Sequence, residues 1–210
     1  MQLRFRGRRT ARRIAIVDTY GFSSSVRQRL RLKHLGLGNE SIDLIETAIR
    51  QWFRIIVRHP TAQLSMPSAL VDDLWHELLL HTRDYAAFCK AAFGRFLHHE
   101  PESAMSPGHA AANRSRQLLV TLRLAQEDEN CDSDALPLLF RVDSEVGLPG
   151  ARCYLADCGG REKCDLTRSP VCLRHLAASE NPPLASRPSG TFKMIGHHGY
   201  WVPYRRGGGW

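Results

Sequence analysis

The spacing of large apolar residues between Asn39 and His59 constrains this chain more than any other feature. Ile42, Ile45, Ile49, Trp52, Phe53 and Ile56 recur at steps of three and four, and Pro60 follows. That period lays one apolar stripe along a helix, and such a stripe folds stably only when other elements cover it. Comparable stripes follow. Pro67 and Ser68 open one with Leu70, Val71, Leu74, Trp75 and Leu78. A third, over residues 83–93 with Thr82 as its cap, turns Tyr85, Phe88 and Ala92 inward and stops at Gly94. A fourth, from about Ala110 to Gln126, is buried through Leu118, Leu119, Leu122 and Ala125. Asn39 is expected to cap the first stripe, and a short helix is expected to end near Lys33. The predicted fold class is all-α: a compact helical domain of four or more helices over residues 18–146.

The two ends read differently. The net charge of +8 is concentrated in residues 1–35, with ten basic side chains against the single acid Asp18. Residues 1–17 are therefore expected to form a basic, flexible arm. Such an arm resembles an organellar transit segment, contacts phosphates, or folds back on the body. Residues 147–210 hold four of the six cysteines and many glycines and prolines. They are expected to be an irregular tail, ordered only by cross-links, metal or docking. No apolar run approaches the roughly 20 residues of a membrane helix, and Ile14–Val17 is too short for a secretory core. A soluble cytoplasmic protein with reduced or metal-bound thiols is expected, with no membrane partner.

Between Pro67 and Pro101, metal-capable and large apolar side chains alternate densely. Polar groups in an apolar helical segment are costly unless paired or ligated. Asp73 and His76 stand three apart, and Glu77 and His81 four apart, so each pair shares a helix face. A candidate metal site follows: Asp73, His76 and His81, with His98 or His99 arriving after the chain reverses at Gly94. Imidazole with carboxylate suits zinc, iron or manganese rather than calcium. Hydrogen bonding of the same histidines to backbone carbonyls or carboxylates is the competing expectation.

The string Val71-Asp-Asp-Leu-Trp-His76, with Tyr85 nine positions beyond, resembles the Asp-x-x-Trp-His element of the glycine-rich domain-containing protein family. Bacterial relatives without an assigned role are similar in Trp75-His76, His81-Thr82, Tyr85, Phe88-Cys89, Phe93-Gly94 and His98-His99. The resemblance spans about residues 40–130 and implies kinship of domain, not an activity. Plant members are associated with development, stress responses and RNA binding through additional domains that this chain lacks. They also tend to carry a histidine two places after the Trp-His histidine, where Leu78 stands here.

Cys153, Cys158, Cys164 and Cys172, with His175 close behind, form a second candidate site for zinc or another divalent transition metal. No CxxC pair is present, so disulfides or unligated thiols compete with that reading. No phosphate loop, dinucleotide fingerprint or nucleophile elbow appears. Three functions are consistent with these residues. The first is a binding or scaffold module with a protein partner. The second is a metal-dependent enzyme using the His/carboxylate site. The third is nucleic-acid binding through the arm and a zinc-stabilised tail.

Overall fold

A computed structural model describes residues 2–99, 107–160, 170–180, 192–194 and 201–203. Side-chain placement is described for residues 7–99, 113–160 and 170–179. The chain divides into two compact units, Met1–Glu180 and Asn181–Trp210. The first is helical: α1 (Gln2–Asp18), α2 (Ser24–Lys33), α3 (Asn39–Arg58), α4 (Ala69–Leu80), α5 (Thr82–Ala92), α6 (Pro107–Glu129), α7 (Leu138–Val146) and α8 (Leu173–Glu180). Two strands, β1 (Tyr154–Leu155) and β2 (Val171–Cys172), pair in parallel. In the second unit the described residues are β3 (Phe192–Met194) and β4 (Trp201–Pro203), an antiparallel pair. Among the described residues no helix is long and apolar enough to cross a membrane.

Helix α3 is the axis. Its stripe residues Ile42, Ile45, Ile49 and Phe53 are each no more than 1% exposed, because α1, α4, α6 and α7 all pack around it. The sides of the aromatic core meet at Phe53, whose ring lies 5.2 Å from Phe88, 5.6 Å from Phe93 and 6.0 Å from Trp75. Gly38, not Asn39, occupies the N-cap of α3, and its backbone caps without a side chain. His81, not Thr82, precedes α5. Gly94 ends α5 at φ 73°, a left-handed conformation that glycine adopts at little cost, with its N–H donating to the Cys89 carbonyl.

Residues 2–17, read from the sequence as a basic flexible arm, are helical as part of α1, which packs on α3 and α5 through Val17, Ile14 and Ile16. Its arginines divide between two environments: Arg8, Arg9 and Arg12 are exposed, while Arg13 lies over Gly94. Asp18 at its end pairs with Arg54 at 3.0 Å, and Arg54 also holds the buried Asp128 of α6 at 2.6 Å.

The first compact unit runs to Glu180, so the segment after residue 147, read from the sequence as an irregular tail, begins inside it. Beyond Gly147, Tyr154 stacks edge-on against Phe140 at 5.3 Å. Helix α8 lies on α6, with Leu173 and Leu176 buried. Two apolar residues at a three-residue step are enough to seat a helix of eight residues once a neighbour supplies the facing surface.

Candidate metal centre

The donor atoms of Asp72, His76 and His99 lie within 4.8 Å of one another. Asp72 sits in the first turn of α4 and His76 one turn further on, so helical geometry alone puts them on one face. His76 Nδ1 is 2.9 Å from the Asp72 backbone oxygen and 3.6 Å from its carboxylate. His99 arrives from the chain after α5, its Nε2 at 2.8 Å from Asp72 Oδ1. The two imidazole rings stand 4.1 Å apart, and the His99 ring packs edge-on against Trp75 at 4.6 Å. The side chains of His99, Asp72 and His76 are 7%, 30% and 39% exposed, so the cluster is walled at His99 and opens to solvent at His76.

What delivers His99 is a buried hydrogen-bond relay. Trp75 Nε1 donates to Tyr85 Oη at 3.0 Å, and Tyr85 Oη donates to the Leu97 carbonyl at 2.6 Å. Leu97 is two residues before His99, so α4 and α5 together set the position of that strand of chain. Burial raises the Tyr85 phenol well above its ordinary value and keeps it neutral, able to donate. A phenol raised in this way supports the fold fully below the ordinary value of about 10, and that contribution falls away as pH climbs beyond it. Burial also raises the Cys89 thiol, so Cys89 is a neutral packing residue and not a nucleophile.

Tyr85→Phe is expected to destabilise the fold by about 2–4 kcal/mol, because the Trp75 N–H and the Leu97 carbonyl both lose a buried partner. It should also free His99 to move relative to Asp72 and His76, and so weaken binding of any metal ion that these three residues would hold. Thermal melting and metal titration of the same variant check the two effects. A variant that melts early yet binds metal at full strength would show that the relay does not position His99.

Of the helical residues singled out by spacing, His76 and His99 converge and three stand elsewhere. Asp73 is taken by α2: its carboxylate pairs with Lys33 Nζ at 2.5 Å and His34 Nε2 at 2.7 Å. His81 ends α4 and faces a different cavity with Ile16, Tyr20 and Asp84. His98 is exposed and stacks on Phe96 at 4.9 Å. The carboxylate that joins the imidazoles is Asp72, found by the four-residue step to His76 rather than the three-residue step from Asp73.

Beside the cluster lies a cavity of about 430 Å³ whose lining includes Trp52, Ile56, Met66, Asp72, Trp75, His98 and His99. Arg95, Arg114 and Arg152 line it too. Its apolar wall and convergent charged groups have the character of a ligand site.

The second candidate site is also rearranged. Cys158 and Cys172 come together with His175, their donor atoms within 4.8 Å. Cys153 falls outside that group, its thiol donating to the Ala151 carbonyl at 3.8 Å. Cys164 lies outside the described residues.

A family model described as UCP032817-like matches residues 12–176. No curated protein and no solved structure matches the chain.

Proposed function

The chain belongs to the UCP032817-like family, whose model spans both side-chain clusters, and from that premise we propose that it is a metal-binding helical module. The ion, a divalent transition metal, sits between Asp72, His76 and His99. One observation carries this reading: a carboxylate and an imidazole of α4 meet a second imidazole from the chain after α5, and Asp72 and His99 of this set line a cavity. Metal bonds of about 2.1 Å place neighbouring ligand atoms about 3–3.5 Å apart, and Asp72 and His99 already approach that closely. The three arginines give the cavity a positive field, so its ligand is an oxygen anion, a carboxylate or phosphate, held by ion and guanidinium together.

Metal-dependent catalysis is the second reading. Two histidines and one carboxylate leave coordination positions open for water or substrate. The kinship with the glycine-rich domain-containing family rests on Asp72-x-x-Trp75-His76 and Tyr85, which here have separate jobs: ligands at 72 and 76, relay at 75 and 85.

The test is titration of the full chain with iron(II), manganese(II) and zinc, followed by inorganic phosphate. The wild type is expected to bind an ion that the His76→Ala/His99→Ala double variant does not, and phosphate should bind more tightly once that ion is present. Equal metal binding by the double variant would overturn the proposal.

A further inference from the structure

A different donor set lies beyond α7, and it is soft where the helical centre is hard. We propose that Cys158, Cys172 and His175 bind a zinc ion that clasps β1, β2 and α8 into one piece. The three donors come from separate points of the backbone: the turn after β1, the end of β2 and the first turn of α8. Cys158 Sγ lies 3.4 Å from His175 Nδ1. A tetrahedral zinc ion with Zn–S about 2.3 Å and Zn–N about 2.0 Å spaces thiolate and imidazole by about 3.5 Å, so this edge of the site is already set.

The surrounding chain has the features such an ion needs. Cys172 is fully buried, and Cys158 and His175 are half-buried. Beyond Cys158 the chain turns through Gly159 and Gly160 at φ 71° and 78°. Asp157 Oδ1 accepts from the Gly159 N–H at 3.0 Å, which fixes that turn.

The need for a clasp is equally plain. β1 and β2 are two residues each, joined by contacts such as Val171 N–H to the Cys153 carbonyl at 2.9 Å. Strands this short have no independent stability. A bound ion supplies the missing cross-link, each thiol giving up its proton to the buffer as it coordinates. Thiolates with imidazole select zinc over magnesium, calcium or manganese.

The experiment uses the full chain in the His76→Ala/His99→Ala background, so that the metal measured belongs to the cysteine site. It is expected to carry one zinc per chain, lost in Cys158→Ser and Cys172→Ser and kept in Cys131→Ser. Cobalt(II) substituted into the wild-type chain should produce a thiolate-to-cobalt charge-transfer absorption, a signal that Asp72, His76 and His99 have no sulfur to give. This readout stands even if a serine variant does not fold. Chelation of the wild type should speed hydrogen exchange in α8 while leaving α3 protected. The proposal is overturned if the reduced chain takes up no zinc and shows no charge-transfer band. Recovery of a Cys158–Cys172 disulfide from reducing cells would overturn it too.

Discussion

Asp72→Ala is expected to weaken metal binding at the helical centre by more than about 100-fold, beyond the 10–100-fold that loss of an outer-shell partner produces. Asp72 is the only carboxylate of the three-residue set, and it faces both imidazoles. Without it the ion keeps two neutral nitrogens and no anionic ligand. Asp72→Asn separates charge from shape, since its amide oxygen can still reach the ion and His99 but brings no charge. Its affinity should fall between wild type and Asp72→Ala. The fold should lose only about 1–2 kcal/mol in Asp72→Ala, the cost of leaving the nearly buried His99 Nε2 without its partner. Acidification should weaken wild-type binding, because the ion competes with protons for the imidazoles and the carboxylate. Competition titration against a chromophoric chelator across a pH series reads all of this. Unchanged affinity in Asp72→Ala would place the ion elsewhere.

That carboxylate shows how far a sequence can be read and where reading stops. The stripe from Ile42 to Ile56 and the stop at Gly94 are local facts, and they hold in the structure because helix period and left-handed glycine are local physics. The chemistry-bearing segment after Pro67 was legible for the same reason. Which of two adjacent aspartates faces His99 was not. Asp72 and Asp73 are about 100° apart around α4, and what separates them is the landing of α2, whose Lys33 and His34 take Asp73. The contrast between His98 and His99 is of the same kind. Both line the cavity, but only His99 reaches Asp72, and the Leu97 carbonyl tied to Tyr85 holds the chain where it does so.

Elements near the ends of the first unit are hard to read for a related reason. Arginines on α1 hide an apolar face as narrow as Ile14, Ile16 and Val17, which becomes meaningful only when α3 and α5 stand beside it. Helix α7 is shorter still, and its start is closed by distant side chains. Gln51 Oε1 accepts from the Leu139 N–H at 2.8 Å, and Glu129 Oε2 from the Leu138 N–H at 2.6 Å. Local capping signals are visible in a sequence, but caps lent by another helix are not.

The most demanding of these borrowed caps predicts the largest loss of stability. Asp143→Ala is expected to destabilise the first compact unit by about 3–5 kcal/mol, since several buried donors each lose their acceptor at about 1–3 kcal/mol and water recovers part of that. Asp143 lies on α7 and is 1% exposed. Its carboxylate accepts from the N–H groups of Ala69 at 2.8 Å, Leu70 at 3.3 Å and Arg152 at 3.2 Å, and from the Ser68 hydroxyl. It therefore closes the N-terminus of α4, where a negative charge also meets the positive end of the helix dipole, and joins α4 to the segment leading into β1. Alanine would strand these donors, and Asp143→Asn would restore one acceptor while turning an N–H₂ toward other donors, for a smaller loss. Ser68→Ala alone should cost about 1 kcal/mol, as for an ordinary cap. The double variant should lose less than the sum, because both residues serve the same helix end. Asp72 lies in that first turn, so Asp143→Ala should also loosen the metal centre without touching a ligand. Denaturant unfolding measures the stability terms. A loss below about 1 kcal/mol for Asp143→Ala would mean that water replaces the carboxylate at the start of α4.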